Sequence, residues 1–465
     1  MNPTSPRRPR WWMVALGIAS GAVIITSVAG AVIGVRLGGN VRAVDISDQL
    51  GGREIPRTIV DENGNYLPLN ILLMGSDTRQ GDGNQGYGSP TKLSGERSDT
   101  TILLHVSADR TRALAVSFPR DTWVTLPQCT RDGQQVGGYE AKFNVAFEIA
   151  GPGCTVKLVE QLTGLTVNHF AVIDFGGFKQ VVDALGGVEV CLTKAVNDKK
   201  SKLRLPAGTS VVTGEDALAF VRARKTLGDG SDLSRIKRQQ QFLASMVRKA
   251  TSTQMLLNPI SLVSFLDAAT QSLTTDPFLA DLDNLRDVAL SLKDLSPDLI
   301  TFITVPWVPR GDGENVLVED TEAALVWSAI KGDAEYPPKD ASGQPRLTVA
   351  PSSIAVRVLN GAGTPGLATK AADDLKALGF AIIEVGDADR TDYATSVVTY
   401  DPTRESSSKT LAWAVTGATS EVKEGAGEAL TVIVGQDYSG VRTPKISSID
   451  KVTSPTTANT VKCNS

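Results

Sequence analysis

The stretch VNHFAVIDFGGFKQVVDALGGVEVCL, residues 167–192, changes its hydrophobic pattern twice within one continuous segment. Residues 169–175 are almost uniformly apolar, as in a buried strand. Residues 176–187 carry apolar side chains at helical spacing between two pairs of glycines, and glycine commonly ends a helix. Residues 188–192 then have the pattern of a second strand. A strand, a helix and a strand in succession are typical of a layered α/β domain with a sheet at its centre.

The same alternation extends on both sides of this stretch. Further strands are predicted at 69–77, 100–107 and 112–119, and helices at 142–151, 154–164, 213–225 and 232–250. Residues 332–352 have the Pro, Gly and Ser content of a linker. The predicted organisation is a stalk at 36–65, an α/β domain at 66–331 with its core at 66–250, a linker at 332–352, a second small α/β domain at 353–438 and a polar, disordered tail at 439–465.

The N-terminus carries a basic cluster followed by an uncharged apolar segment. Residues 7–10 read RRPR, and residues 11–35 contain no charged residue. A helix needs roughly 20 apolar residues to cross a bilayer, so residues 11–35 are predicted to form a transmembrane anchor. The positive-inside rule places residues 1–10 in the cytoplasm and the rest of the chain outside the cell membrane. Cleavage near the small residues at 27–31 is the alternative.

The charge balance and the cysteines limit the possible functions. The chain has 47 Lys and Arg against 51 Asp and Glu, a net charge of -4, so no general attraction to nucleic acid is expected. Four cysteines outside the membrane suit disulfides better than metals. Cys129 and Cys154 flank one loop-rich segment and are the predicted pair. Cys191 and Cys463 are candidates for a second bridge, although the connectivity stays open.

Histidine chemistry is not indicated. The chain has two histidines, and both His105 and His169 lie in strand-like apolar runs, where a buried structural role is expected. Neither a zinc site nor a Ser-His-Asp triad has enough residues of the required types.

A glycine motif in the second domain also has a structural interpretation. Gly361, Gly363 and Gly366 have the G-x-G-x-x-G spacing of a dinucleotide-binding turn. The domain at 353–438 is too small for the two halves of a doubly wound fold. The glycines are therefore interpreted as a tight strand-to-helix turn.

Charged residues lie at the boundaries of the predicted strands of the first domain. Asp77 with Arg79, and Arg97 with Asp99, place a carboxylate two residues from a guanidinium. Two such carboxylates can hold Mg²⁺ against phosphate oxygens, and two surface salt bridges are the alternative. Arg120 follows the third strand.

A second group of basic residues spans two predicted helices and the glycine-rich turn between them. Its members are Arg222, Arg224, Lys225, Arg235, Lys237 and Arg238. Arginine forks match phosphate oxygens bidentately, which favours a diphosphate site, whereas a solvated basic helix face is the alternative.

Eight ordered blocks resemble the LytR-CpsA-Psr family over roughly residues 66–250. They are NILLMGSDTR, RSDTTILLHV, AVSFPRD, KFNVAF, VIDFGGFKQVVDALGGVEV, LPAG, GEDALAFVRARK and DLSRIKRQQQF. Residues 353–438 resemble the LytR C-terminal domain. The resemblance implies an α/β catalytic domain whose central mixed sheet is flanked by helices, in a single-pass membrane protein of Gram-positive bacteria. It implies a phosphotransferase that moves a glycopolymer from a polyprenyl-pyrophosphate carrier to peptidoglycan.

The resemblance also implies roles for individual residues. Asp77 and Asp99 would bind Mg²⁺ (or Mn²⁺), and Arg97, Arg120 and Asp99 would be catalytic, with Asp99 or Asp121 as the general base. The implied pyrophosphate-binding residues are Arg97, Arg120, Lys142, Arg222, Arg224, Arg235 and Gln239. Phe143, Phe147, Phe170, Val172, Ile173 and Phe178 would line a tunnel for the prenyl chain, or else belong to the hydrophobic core.

The predicted partners are the polyprenyl-pyrophosphate-linked glycan, peptidoglycan and the membrane, and not nucleic acid. A composition rich in Ala, Gly and Val suggests an actinobacterial source, in which arabinogalactan is a candidate polymer. The alternatives are a pyrophosphatase that uses water as acceptor, and a non-catalytic wall-binding or regulatory protein.

Overall fold

The computed structural model describes most of both predicted domains. The described residues are 37, 39–53, 58–78, 96–198, 201–223, 232–293, 295, 299–336, 347, 349–401, 404–423, 425–444 and the backbone of 456–457. Within these residues, no helix combines the length and the apolar character needed to cross a membrane. The predicted anchor at 11–35 lies outside them, as do Arg79, Arg224, Lys225 and Cys463.

Strands and helices alternate along the chain. The strands are β1 (Arg42–Ala43), β2 (Leu69–Ser76), β3 (Ser98–Val106), β4 (Ala113–Phe118), β5 (Trp123–Thr125), β6 (Cys129–Arg131), β7 (Gln134–Val136), β8 (Glu140–Lys142), β9 (His169–Ile173), β10 (Val188–Leu192), β11 (Val196–Asp198), β12 (Leu203–Leu205), β13 (Gly208–Val212), β14 (Leu273–Thr275), β15 (Ile300–Thr304), β16 (Trp307–Pro309), β17 (Val316–Val318), β18 (Ala355–Asn360), β19 (Ala381–Asp387), β20 (Val397–Tyr400), β21 (Thr419–Val422), β22 (Leu430–Val434) and β23 (Thr456–Thr457). The α-helices are α1 (Val145–Thr163), α2 (Phe175–Ala184), α3 (Gly214–Arg222), α4 (Asp232–Ala250), α5 (Thr253–Leu256), α6 (Pro259–Ser272), α7 (Pro277–Ala280), α8 (Leu282–Ser291), α9 (Asp320–Lys331), α10 (Leu367–Ala377) and α11 (Glu405–Ala414).

The first domain is organised around a sheet in which eight described strands have the order β1-β14-β9-β2-β3-β4-β15-β23. β2 is parallel to β9 and antiparallel to β3, and β4 is antiparallel to β3 and parallel to β15. The predicted α/β architecture with a central mixed sheet is therefore confirmed. Both ends of the sheet use segments that the sequence did not assign to it. β1 comes from the predicted stalk, and β23 comes from the predicted disordered tail.

β10 does not have the position expected from the strand–helix–strand stretch, which predicted that it would join the central sheet. It does not extend the central sheet but pairs with β13 in a separate two-stranded sheet. The turn before it contains Gly186 and Gly187, both with positive φ, a conformation that favours glycine. That turn directs β10 into a second apolar cluster, where Val188 and Val190 pack with Phe220 of α3 and Phe242 of α4.

One face of the central sheet is covered by α1 and α9. The core on this face contains the strand residues Leu72, Leu103 and Phe170, which pack in one cluster with α1 residues such as Leu158. The helix α1 is kinked at Ala150 and Gly151, where the sequence predicted the end of one helix and the start of another. The predicted Cys129–Cys154 disulfide is present and ties β6 to α1. Cys191 is also disulfide-bonded.

The second domain has a five-stranded sheet in the order β19-β18-β22-β20-β21. Its helices α10 and α11 bury Leu375 and Leu411 against Val356 and Val432 of the sheet. The residues between β18 and α10 form a tight turn in which Gly363 and Gly366 have φ values of 67° and 78°. This left-handed backbone favours glycine, as the predicted tight turn requires.

Candidate active site

A β-bulge at the start of β3 sets the position of Asp99. Gly75 of β2 pairs with Thr100, but the next residue, Ser76, pairs with Ser98, so Asp99 is an extra residue in the ladder. A bulge of this kind bends the strand and redirects a side chain. As a result, Asp99 and its neighbour Thr100 line the same cavity, whereas adjacent side chains of a regular strand point to opposite faces.

The other predicted pair, Asp77 and Arg97, is tied together through the backbone. The Asp77 amide donates to the Arg97 carbonyl at 2.9 Å, and the Arg97 amide donates to Asp77 Oδ1 at 2.7 Å. The Arg97 side chain is 46% exposed and forms an ion pair with Glu148 of α1 at 2.6 Å. Asp77 thus lies beside the Asp99 bulge, while the Arg97 guanidinium is held near the start of α1.

Arg120 is the centre of the charged cluster. Its Nη1 donates to Asp99 Oδ1 at 2.8 Å, and its Nε lies 3.3 Å from both Asp121 Oδ2 and Asp232 Oδ1. Burial alone would lower the pKa of Arg120, but Asp99, Asp232 and Asp121 together raise the pKa above its ordinary value. The guanidinium is consequently a permanent positive charge whose orientation is fixed by carboxylates from three parts of the chain.

Lys142 joins this cluster through one of these carboxylates. Lys142 Nζ donates to Asp121 Oδ1 at 3.0 Å, on the carboxylate whose other oxygen accepts from Arg120. The pairing of β5 with β8 brings Lys142 close to Asp121, because Trp123, two residues after Asp121, is the partner of Lys142. Asn144 is the second polar residue of the KFNVAF block and is buried next to the cluster. Its backbone amide donates to the Arg120 carbonyl at 3.3 Å.

The start of α4 adds a buried arginine. Arg235 Nη2 forms an ion pair with Asp232 at 2.5 Å and donates to the Asp99 carbonyl at 3.3 Å. Asp232 therefore bridges Arg235 and Arg120. Since a buried guanidinium is costly unless it is paired, this carboxylate holds both arginines at the end of the sheet.

The remaining residues of the basic group separate into distinct roles. The Arg222 guanidinium lies 4.6 Å from the centre of the Phe175 ring, a cation–π contact. Gln239 donates weakly to the Val221 carbonyl at 3.4 Å, and both Arg222 and Gln239 line the cavity. Arg238 is buried and donates to the Ala223 carbonyl after α3, which gives it a structural role. Lys237 is exposed.

A cavity of about 390 Å³ runs from this charged cluster into the apolar interior. Its polar end is formed by Asp99, Arg222, Arg235 and Gln239. Its apolar walls come from the sheet and from three helices, and they include Leu73, Ile102, Ile173, Phe178, Leu218, Val221, Phe242 and Leu243. The shape and lining suit a ligand with an anionic head and an apolar chain.

The predicted tunnel residues divide between the two faces of the sheet. Ile173 and Phe178 line the cavity. Phe143, Phe147, Phe170 and Val172 instead belong to the core on the α1 face and are not among the lining residues. The reason is the two-residue period of a strand: Phe170 and Val172 alternate with Ala171 and Ile173, which do line the cavity.

Several residues of the site were not predicted from the sequence. Asp232 is the first residue of the predicted helix at 232–250 and has no predicted role in the site, although its position three residues before Arg235 is the spacing of a helical ion pair. Phe175 and Glu148 gave no signal, because their partners Arg222 and Arg97 are distant in sequence and meet them only in the folded chain.

The donor chemistry of two carboxylates at this site would suit a magnesium ion that also binds substrate phosphate. Asp77 and Asp99 supply oxygen donors at neighbouring strand ends, and Mg²⁺ commonly uses one or two carboxylates together with phosphate oxygens. No group of three or more metal-binding side chains occurs among the described residues. Any ion held here would therefore take further ligands from substrate or water.

Comparison with known proteins agrees with this architecture. Residues 36–331 match the LytR_cpsA_psr family, and residues 353–438 match the family described as LytR cell envelope-related transcriptional attenuator. The cell wall biosynthesis protein LcpA of Corynebacterium glutamicum is 33% identical over 428 residues, which cover 85% of this chain and 80% of LcpA.

A more distant relative and a solved structure each match a smaller share of the chain. The polyisoprenyl-teichoic acid–peptidoglycan teichoic acid transferase TagT of Bacillus subtilis is 28% identical over 298 residues, 63% of this chain and 85% of TagT. The crystal structure of protein gbs0355 from Streptococcus agalactiae has 25% identity and a TM-score of 0.48, and covers 58% of this chain and 88% of that protein. Because the first family model alone spans most of the chain, this protein belongs to the LytR-CpsA-Psr family.

Proposed function

We propose that this protein is a cell-wall ligase that transfers a glycopolymer from a polyprenyl-diphosphate carrier to peptidoglycan. The observation that carries the proposal is the junction of an arginine cluster with an apolar cavity. Arg222 and Arg235 line the polar end of the cavity, where the diphosphate would lie, and Arg120 is ion-paired with Asp99 of the same lining. Ile173, Phe178 and Phe242 line the space for the prenyl chain. The names of the relatives LcpA and TagT support the same reaction class.

The reaction is a displacement at phosphorus. The acceptor hydroxyl oxygen forms a bond to the sugar-linked phosphorus, the bond from this phosphorus to the bridging oxygen breaks, and polyprenyl phosphate leaves. Negative charge accumulates on the transferring and leaving groups, and fixed guanidinium groups stabilise it without reorganising. Arg120 is suited to this role because Asp99, Asp121 and Asp232 fix its orientation before substrate binds.

The acceptor hydroxyl loses its proton as the new bond forms. We propose that Asp99 or Asp121, two of the three carboxylates that contact Arg120, accepts this proton. Asp77 and Asp99 would hold Mg²⁺, whose charge would offset that of the diphosphate. Comparing Asp99→Asn with Asp121→Asn separates these roles, because loss of a metal ligand shifts the magnesium dependence and loss of a base alone does not.

The predicted location follows from the substrates. A transmembrane anchor formed by residues 11–35 would hold the catalytic domain on the outer side of the cell membrane, where the lipid carrier and peptidoglycan meet. The donor polymer is the less defined partner, and the arabinogalactan suggested by composition is one donor to test beside teichoic acid.

The test measures release of polyprenyl monophosphate by the purified full chain. Lipid-diphosphate-linked glycan and Mg²⁺ are supplied with and without peptidoglycan fragments. Release that requires the acceptor, together with a glycan–peptidoglycan product, is the expected result. Release without acceptor would identify a pyrophosphatase, and no release from any donor would favour a non-catalytic binding protein; either outcome contradicts the proposal.

A further inference from the structure

The helical hairpin formed by α5 and α6 presents an unusual apolar surface. Residues 251–266 contain no charged residue. Leu256, Leu257 and Ile260, at the turn between the two helices, are 54%, 77% and 80% exposed. Single exposed apolar residues are ordinary, but several within one turn mark a binding surface.

The inner side of the helical hairpin packs on the wall of the cavity. Met255 and Phe265 belong to the apolar cluster that also contains the cavity-lining residues Phe178 and Phe242. The contact between α6 and α2 is close, since a Cβ on Gly177 would lie 2.6 Å from Ser272 Cβ. The exposed leucines are therefore the outer surface of the same layer that encloses the apolar part of the cavity.

The N-terminal end of the described chain is fastened to this hairpin. Asn40 Nδ2 donates to Asp267 Oδ1 at 3.0 Å and to Thr270 Oγ1 at 3.1 Å, both on α6. The predicted membrane segment ends at residue 35, so even a fully extended connection spans only about 17 Å at roughly 3.5 Å per residue. Along α6, Ile260 lies about 10 Å from Asp267 at roughly 1.5 Å per residue. The apolar turn is thus held within reach of the bilayer surface.

We propose that the helical hairpin lies in the lipid interface, with Leu256, Leu257 and Ile260 inserted at the boundary between head groups and acyl chains. The proposal rests on the membrane anchor and lipid carrier of the proposed function. It explains why the exposed turn lies in a segment, residues 251–266, that carries no charge, since an apolar helix surface suits the acyl-chain boundary. It also places the apolar wall of the cavity next to the membrane, so that a prenyl chain enters without crossing water.

Lipid contact can be measured on the full chain in phosphatidylglycerol-containing vesicles. No described cysteine is free, so Leu257→Cys and Ile260→Cys each give a single new labelling site for an environment-sensitive fluorophore. Leu290→Cys is the matched control, because Leu290 is 55% exposed and lies on α8, which β14 and α7 separate from the hairpin along the chain.

We expect blue-shifted emission and quenching by lipid-borne quenchers at positions 257 and 260, and quenching only by an aqueous agent at position 290. Emission typical of water at 257 and 260 would overturn the proposal. A blue shift without lipid quenching would also overturn it, because that result indicates a protein partner or a second copy of the chain.

A functional arm compares the double variant Leu257→Gln/Ile260→Gln with Leu290→Gln. Transfer from a long-chain carrier embedded in vesicles should fall about tenfold in the double variant, because the two glutamines weaken interfacial binding. Transfer from a short-chain, water-soluble prenyl diphosphate should match that of Leu290→Gln. Equal transfer from the embedded carrier would overturn the entry route. If the unmodified chain transfers from neither carrier, the proposed function fails, and the quenching measurement still decides whether the hairpin contacts lipid.

Discussion

The two faces of the central sheet are built from alternate residues of the same strands, yet they bury their side chains differently. On the α1 face, Leu72, Leu103 and Phe170 belong to a continuous core. On the opposite face, Leu73, Ile102 and Ile173 line a cavity with a charged end. A packed face supplies stability, whereas a face with space left inside it can receive a ligand. Substitutions on the two faces should therefore affect different quantities.

The largest effect is expected at the charged end of the cavity. Arg120→Ala removes the guanidinium that pairs with Asp99, Asp121 and Asp232, and turnover should fall by about 10²–10³-fold, the scale seen when a fixed electrostatic donor is lost. Lys237→Ala is the control, since Lys237 is an exposed cation on α4, and its kcat should stay unchanged. Equal effects of the two variants would refute the assigned site.

The second comparison sets a core phenylalanine against a cavity phenylalanine. Phe170→Ala should lower the free energy of unfolding by about 3–5 kcal/mol, because the side chain is fully buried on the packed face. Phe178→Ala should lower it less but raise KM for a long-chain carrier. Denaturant unfolding and steady-state kinetics measure the two quantities. If Phe170→Ala raised KM and Phe178→Ala did not, the cavity would lie on the α1 face, contrary to the assignment of the faces.

The disulfide of the packed face should affect stability alone. Cys129 and Cys154 are 25 residues apart, and closing a loop of that length stabilises a fold by about 3.5 kcal/mol. The double variant Cys129→Ala/Cys154→Ala is expected to unfold at a lower temperature with an unchanged KM. A changed KM with an unchanged Tm would show that the disulfide acts on the cavity instead.

The smallest effect concerns pH. Burial lowers the pKa of His105 below its ordinary value, and Asp333, 3.2 Å from Nε2, opposes this only partly. The unfolded chain therefore binds the proton more readily, so the contribution to stability is present above about pH 6.5 and is lost as the pH falls through the lower folded-state pKa. Urea unfolding at about pH 7.5 and about pH 5.5 should show a smaller pH dependence in His105→Gln than in the unmodified chain. An equal or larger dependence would contradict this.

The sequence predicted more of the charged end than of the apolar walls. Asp99 lies at the start of a strand, Arg120 follows a strand and Arg235 lies in the first turn of a helix. The structure brings these ends into contact at one edge of the sheet. The walls depend on strand register and on the bulge at Asp99, which residue types do not specify. Phe170 and Ile173 are both apolar residues of β9, and only the pairing of β9 with β2 decides which faces the cavity.

The departure of β10 from the sheet has a similar cause. Its alternating pattern is compatible with either pairing, and the choice is made by the glycine turn before it and by the cluster around Phe220. Asp232 is different, because its spacing of three residues from Arg235 is that of a helical ion pair and could have predicted their contact from the sequence.

Equilibrium binding of polyprenyl diphosphate to the full chain tests the central claim most directly. The ligand should bind much more tightly than either inorganic diphosphate or the polyprenyl alcohol, because only the whole molecule engages the arginines and the apolar walls together. Arg235→Ala should weaken binding of the lipid diphosphate and leave binding of the alcohol unchanged, because Arg235 lines only the polar end of the cavity. If inorganic diphosphate binds as tightly as the lipid diphosphate, the cavity does not hold the prenyl chain and the account is wrong.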